Sequence, residues 1–168
     1  MILLCSVRKF LGKGLPNVAL FSLFCLCACS QTPRQWTLTS NKGTHPHFRS
    51  SRLYLAPEDK FSGIELDILN TSQGRVAYLN AYGVELQDEG KSPEGYSIVN
   101  VTINIDQQSH IFTGFLLQGG HRILVPENAT DLIIEALHAN KSVEISVAHY
   151  STTIIPDNFV KHYQKLTG

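Results

Sequence analysis

Apolar and polar residues alternate along most of the second half of the chain. From Ile64 to Ile68, three aliphatic residues alternate with Glu65 and Asp67, and within the predicted strand from Tyr96 to Ile105 a Val or Ile occupies every second position from Val99 onward. A period of two residues sends successive side chains to opposite faces of a β-strand. The pattern therefore predicts antiparallel strands with one face buried, and it predicts that the two carboxylates face solvent.

Turn-forming residues and two stretches of helical spacing complete this pattern. The segment Asp106 to Ser109 and the pair Gly119-Gly120 predict hairpin turns. Apolar residues spaced three and four apart predict a helix over 129–139, capped by Asn128, and a second helix near the C-terminus. The sequence thus predicts a mainly β fold, an antiparallel β-sandwich-like domain of about seven to eight strands with one short helix before the penultimate strand and a short C-terminal helix.

The first 28 residues follow a different pattern. Arg8, Lys9 and Lys13 precede an apolar run from Val18 to Cys27, and this region holds no acidic residue. Basic, then apolar, then small residues is the plan of an export signal. A membrane-spanning helix needs about 20 apolar residues. The run is shorter than that, which favours a cleaved signal over a spanning helix.

The junction Leu26-Cys27-Ala28-Cys29 resembles the lipobox of bacterial lipoproteins. The resemblance implies cleavage between Ala28 and Cys29, transfer of diacylglycerol to the Cys29 thiol and, usually, acylation of the freed amine. Two or more acyl chains hold a protein stably to a bilayer. Ser30 stands where, in many Gram-negative members, Asp means retention in the inner membrane. The resemblance therefore implies an outer-membrane location, in the periplasmic leaflet or at the cell surface.

The predicted organisation is a signal peptide over 1–28, a polar tether over 29–51 and a β-rich globular domain over 52–168. The tether is rich in Thr, Ser, Asn, Gly and Pro, which is linker composition. Its Trp36 is the exception. If that ring docks on the domain, residues 35–39 add a short edge strand.

Charge and cysteine content narrow the function classes. Removal of the leader takes three of the 14 basic residues and none of the 14 acidic ones, which leaves a net charge of about −3. This charge gives no support to a nucleic-acid partner. Cys29 is then the single cysteine, so an internal disulfide is ruled out. Asn-x-Ser/Thr sequons leave a secreted glycoprotein as an alternative; they begin at Asn70, Asn100, Asn128 and Asn140.

No motif predicts a metal, cofactor or catalytic residue. His45-Pro46-His47 offers two ligands without a third nearby. Asp106, Ser109 and His110 are the residue types of a hydrolytic triad, but neighbours on one turn rarely adopt triad geometry. An alternative is a periplasmic hydrolase with an unrecognised site, for which His110 and His121, on either side of one hairpin, are the candidates.

A recognition surface is the remaining hypothesis for the domain. Tyr78, Asn80 and Tyr82 share one face of a predicted strand, and Tyr and Asn suit adaptable contacts; the alternative is that they line the core. The sequence therefore favours a non-enzymatic binding or assembly component, held to membrane lipid through acylated Cys29 and meeting an envelope protein. A secreted inhibitor or ligand carrier, acting through loop 88–95 or an apolar cavity, stays open.

Overall fold

A computed structural model describes residues 34–42, 49–59 and 61–166. The predicted signal peptide, its cleavage site at Ala28 and Cys29, and the histidines at positions 45 and 47 lie outside the described residues.

Ten antiparallel strands form one open sheet, and two short helices accompany it. The order of the strands across the sheet is β1-β2-β3-β4-β8-β7-β6-β9-β10, and β5 pairs with the start of β6. The predicted fold class, mainly antiparallel β with two short helices, is confirmed, with more strands than predicted. The elements are β1 (Trp36–Lys42), β2 (Arg49–Leu55), β3 (Gly63–Thr71), β4 (Gly74–Tyr82), β5 (Gly90–Lys91), β6 (Ser97–Ile105), β7 (Gln108–Leu116), β8 (Arg122–Val125), α1 (Glu127–His138), β9 (Val143–Val147), β10 (Tyr150–Ile154) and α2 (Phe159–Tyr163).

The core is built from the inward-facing residue of each alternating pair, as the sequence pattern predicts. Aliphatic side chains from β2, β3, β4, β6, β8 and β9 meet one stripe of α1, and Phe159 of α2 completes the cluster. Burial of apolar surface stabilises the fold by roughly 25 cal/mol per Å². The residues less than 2 % exposed with the largest side chains are Phe159, Leu53, Leu55, Leu66, Ile68, Leu79, Ile103, Ile123, Ile133, Leu137, Ile145 and Ile154.

The described structure starts at Arg34, and it shows ordered strands within the segment that was predicted as a tether, 29–51. Strand β1 and the start of β2 lie inside that segment, and Trp36 is only 3 % exposed. The Trp36 ring lies 4.9 Å from that of Phe159, and its Nε1 donates to the Ile155 carbonyl at 2.9 Å. Polar composition misled the boundary prediction because one aromatic anchor is enough to dock a polar strand.

The two edge strands of the sheet meet at a seam held by side chains. Arg34, just before β1, donates from Nη1 to the Thr153 carbonyl of β10 at 2.8 Å and from Nε to the Ala56 carbonyl at 2.8 Å. The bond to Thr153 and that from the Trp36 indole satisfy backbone carbonyls at or just after β10, and the bond to Ala56 ties the same arginine to the end of β2. Covered edges of this kind resist pairing with other chains.

Helix α1 begins earlier than predicted. Pro126 is the residue before the helix, in extended conformation, and its carbonyl accepts the Thr130 N–H at 2.9 Å. Asn128 therefore lies inside the first turn, where its Oδ1 accepts the Ala129 N–H at 2.9 Å. The cap prediction at Asn128 is wrong because Pro126, which follows β8 directly and cannot donate a backbone hydrogen bond, holds the position before the first helical residue, Glu127.

The β6–β7 turn stores strain that one substitution should relieve. Asp106 and Gln107 have φ of 49° and 67°, the left-handed region in which a two-residue hairpin turn favours Asn-Gly. Gln107→Gly removes a steric cost of about 1–2 kcal/mol, part of which is offset by the more flexible unfolded chain. We expect the free energy of unfolding in urea to rise by about 0.5–1 kcal/mol.

The matched control is Ser109→Gly, two residues further on in the exposed part of β7. At this extended position glycine should lower the free energy of unfolding by roughly 0.5–1 kcal/mol. No stabilisation by Gln107→Gly would show that the turn is unstrained, and equal stabilisation by both substitutions would show that the gain does not come from the left-handed turn.

Candidate binding site

Strand β3 is buried on both of its faces. Its inner face carries aliphatic residues of the core, and its outer face carries Glu65 and Asp67, which are 3 % and 1 % exposed. The prediction that these carboxylates face solvent is therefore wrong. An ionised carboxylate without partners is costly to bury. The neighbouring strands must supply compensating donors.

Arg52 of β2 bridges both carboxylates from one side. Its Nε lies 2.8 Å from Asp67 Oδ1 and its Nη2 lies 2.7 Å from Glu65 Oε1. The guanidinium also stacks over the Tyr54 ring, 4.3 Å from its centroid. A planar guanidinium suits this arrangement because its donors diverge in one plane and its flat face packs on an aromatic ring.

Arg122 of β8 reaches Asp67 from the other side. Its side chain crosses β4, stacks 3.8 Å from the centroid of the Tyr78 ring, and donates from Nη2 to Asp67 Oδ2 at 3.2 Å. Its Nε is buried and has no hydrogen-bond partner among the described residues. Asp67 therefore lies between two arginines, one on each flank of the β3–β4 pair.

The remaining lone pairs of Glu65 are satisfied from β4. Asn80 Nδ2 donates to Oε1 at 2.9 Å, and the Tyr82 hydroxyl donates to Oε2 at 3.2 Å. Glu65 thus accepts hydrogen bonds from three side chains, including Arg52. The outer-face ion cluster, as we name Arg52, Glu65, Asp67 and Arg122, has two positive and two negative charges.

The strand register brings these residues together. Glu65 lies opposite Asn80, which in turn lies opposite Arg122, while Asp67 lies opposite Tyr54 on one side and Tyr78 on the other. Alternation along β3 and β4 signals which residues share the outer face. Nothing local signals the two arginines, since β8 reaches β4 only through long-range pairing.

The cluster exposes hydrogen-bond donors while it hides acceptors. The Arg52 and Arg122 side chains are 38 % and 40 % exposed, whereas both carboxylates are buried beneath them. Burial lowers the pKa of Arg52, but its bonds to Asp67 and Glu65 outweigh burial and raise that pKa above its ordinary value. Carboxylates held this way are poorly placed to act as a general base or nucleophile. The arrangement suits binding of a group rich in acceptors.

A shallow depression of about 550 Å³ lies over the cluster. Arg52, Asn80, Tyr82 and Arg122 line it, together with His121, whose Nδ1 lies 2.7 Å from the Val84 carbonyl oxygen. Its volume falls within the range of small-ligand sites, although it is wide open to solvent.

The predicted recognition residues lie on this outer face and not among the core residues. Asn80 and Tyr82 line the depression, and Tyr78 supports the Arg122 guanidinium from below. Their role in recognition stays a prediction. The sequence reasoning missed Arg52, Arg122 and His121 as members of this surface.

The structure separates Ser109 from His110 and His110 from His121, whereas Asp106 and His110 line one groove. Ser109 and His110 are adjacent in β7 and so point to opposite faces, and Asp106 pairs with Lys141 at 2.6 Å. His121 follows the far end of β7, since β7 pairs with β8 only at Phe115 and Leu116. Among residues 34–42, 49–59 and 61–166, no group of three His, Cys, Asp or Glu side chains is arranged to hold a metal ion.

Neither the length of the helices nor comparison with other proteins assigns a function to the chain. Within the part of the chain that the structure describes, neither helix has the length and apolar character needed to span a bilayer. Comparison of the chain with protein-family models, with curated proteins and with solved structures finds no match.

Removal of Asp67 should destabilise the domain. Asp67→Ala leaves two guanidinium groups without their shared acceptor. Breaking a buried pair on one side costs about 3–5 kcal/mol, and the partial exposure of both arginines reduces this. We expect the free energy of unfolding in urea to fall by about 2 kcal/mol. Glu58→Ala, which breaks the exposed pair with Arg34, should cost less than about 0.5 kcal/mol. Equal losses would show that the cluster does not stabilise the sheet.

The Tyr82 phenol should ionise at an unusually high pH. Partial burial and the nearby Glu65 carboxylate, which accepts its hydrogen bond, raise the pKa of Tyr82 above its ordinary value of 10.0. Glu65→Gln removes the charge, so the pKa of Tyr82 should fall in that variant. The ¹³C shift of the Tyr82 ring carbon that bears the hydroxyl reports the titration. An unchanged pKa of Tyr82 in Glu65→Gln would contradict the contact.

Proposed function

We propose that the chain is a lipid-anchored lipoprotein of the bacterial outer membrane, and that its β domain is a non-enzymatic binding or assembly component of the envelope. The observation that carries the proposal is the sequence Leu26-Cys27-Ala28-Cys29 at the end of a basic and then apolar leader. In this proposal Cys29 becomes the first residue of the mature chain and carries the lipid.

The described structure begins close in sequence to the proposed anchor. Residues 30–33 separate Cys29 from Arg34, the first described residue. A fully extended residue spans at most about 3.3–3.6 Å, so the five residue steps from Cys29 to Arg34 span at most about 18 Å. A domain on so short a link stays beside the bilayer, and a partner that it binds is drawn to the membrane surface.

The outer-face ion cluster supports a binding role for the domain. Both carboxylates are occupied by donors, while the guanidinium groups and the Tyr82 ring border an open depression. Fixed, planar donors recognise carboxylate, phosphate or carbonyl acceptors of a partner. Recognition rather than turnover is the activity that suits this surface.

Metabolic labelling tests the anchor. In cells of a Gram-negative host grown with labelled palmitate, the unmutated chain should incorporate label and collect in the outer-membrane fraction. Cys29→Ala removes the thiol that accepts the lipid, so the label should be lost and the unprocessed chain should accumulate.

The matched control is Cys27→Ala, which changes the neighbouring cysteine and places there a residue usual in lipoboxes. This variant should be labelled and sorted like the unmutated chain. Absence of label on the unmutated chain, or equal label on Cys29→Ala, would exclude the lipid anchor.

A further inference from the structure

Strand β8 is too short to cover its neighbour β7. Ladder pairs join β7 to β8 only at Phe115 and Leu116, whereas β7 pairs with β6 along almost its full length, from Gln108 to Phe115. After Val125 the chain turns into α1. The first half of β7, residues 108–113, therefore has an open edge on the β8 side within the described structure.

The register shows which backbone groups lie at this edge. In the tight β6–β7 hairpin, Ile105 and Gln108 close the two-residue turn, so even-numbered residues of β7 bond to β6. The N–H and C=O groups of Ser109, Ile111 and Thr113 then point to the open side. The bond from the Leu117 N–H to the Arg122 carbonyl, 2.8 Å long, follows the same parity. No hydrogen bond to those three residues' outward groups occurs among the described residues.

Two other edges of the described sheet are protected by side chains, and this one is not. On the far side of β8, the start of β4 carries Arg75, which bonds to Asp131 of α1 and to Tyr163 of α2. The β10 edge is covered by Arg34. In contrast, residues 108–114 include no charged residue and no proline, and Ile111 is 70 % exposed. Natural sheets usually block such an edge, because it accepts another strand.

A groove lies between α1 and the turn end of β7, where the open edge begins. It has a volume of about 370 Å³ and separates β7 from α1, with His110 on one wall and Leu132 and Ala136 on the other. Asp106 in the groove is neutralised by Lys141 at 2.6 Å. Glu135 also lines it and has no ion-pair partner in the part of the chain that the structure describes. The groove is therefore partly apolar, with one uncompensated negative charge.

We propose that residues 108–113 of β7 are a strand-addition site for an extended segment of a partner protein. The segment pairs with the outward groups of Ser109, Ile111 and Thr113, and its alternate side chains lie against Leu132 and Ala136. Backbone bonding of this kind supplies affinity, and the pockets for alternate side chains supply specificity. Glu135 favours a segment that carries a Lys or Arg, and the apolar wall of α1 favours alternating aliphatic residues in that segment.

A single strand fits this site better than a second copy of the chain. The groove has the volume of a small-ligand pocket and is bounded by α1 on its far side. A second β7 would arrive with β6 paired behind it over eight positions, and that hairpin would meet α1. This site is separate from the outer-face ion cluster and does not depend on the lipid anchor.

The test uses the full chain and labelled hexapeptides of defined sequence. The probe is fluorescein-labelled Lys-Val-Thr-Val-Thr-Val, compared with the same peptide starting with Glu and with one N-methylated at every second residue. Fluorescence anisotropy measures affinity, and amide hydrogen exchange by NMR locates the contact. We expect the Lys peptide to bind at least tenfold more tightly than the N-methylated peptide, and to slow exchange at Ser109, Ile111 and Thr113 at least tenfold.

Three variants sharpen the result. Ile111→Lys places a charge on an exposed edge position and should weaken the Lys peptide at least tenfold without changing the fold. Glu135→Gln should abolish the difference between the Lys and Glu peptides. Ser151→Lys, an exposed position on β10, should bind like the unmutated chain. A circular-dichroism melt verifies folding of each variant.

The proposal is overturned by any of three outcomes. The first is no difference between the Lys peptide and its N-methylated form. The second is undiminished binding to folded Ile111→Lys. The third is slow, concentration-dependent exchange at the three amides without peptide, which would show that a second copy covers the edge.

Discussion

Two buried carboxylates and two arginines hold together the side of the sheet that faces away from the core. Either carboxylate alone would carry a desolvation cost of several kcal/mol, so neither is tolerable unless donors arrive from other strands. Arg52 comes from β2, Arg122 from β8 and the neutral donors from β4, and all converge on β3. The chain must therefore complete four strands in correct register before the charges of Glu65 and Asp67 are compensated. A one-residue slip of β3 would move both carboxylates into the hydrophobic core of the domain. The cluster thus favours one register as well as forming one surface.

Much of the fold is predictable because two-residue alternation directly reflects a half-buried strand. The boundaries that the sequence missed have specific physical causes. The segment before Arg52 is polar enough to resemble a linker, yet Trp36 finds a partner in Phe159 of α2, more than 100 residues away. The predicted start of α1 is too late because Pro126, not Asn128, is the residue that precedes the helix. The first contact is absent from any local window of sequence, whereas the second is local and was outweighed by the preference of Asn for helix caps.

Only part of the candidate binding site could be predicted from the local sequence pattern. Alternation places Tyr78, Asn80 and Tyr82 on one face, and the structure puts them opposite the core. The carboxylates on that face are covered by two arginines, which are separated from Asp67 by 15 and 55 positions in the sequence. Pairing of β4 with β8 has no local signal, since the strands are joined through β5, β6 and β7. The same long-range pairing leaves one edge of residues 108–113 of β7 without a neighbouring strand, and no local residue pattern predicts this open edge.

The seam between β1 and β10 also bears on how the domain forms. Arg34 and Trp36 each bond to a carbonyl 119 positions later in the chain. Contacts of such sequence separation form late, because the entropy of closing the largest loop must be lost before they form. Strand β1 is synthesised before the other described strands, so it gains these contacts only once the segment after β10 has been made. Until then the Trp36 indole lacks its bond to Ile155 and its contact with Phe159. During synthesis the Trp36 side chain is therefore available for a chaperone to bind. In a chain truncated before Ile155 the side chain would stay available, because its partners are missing.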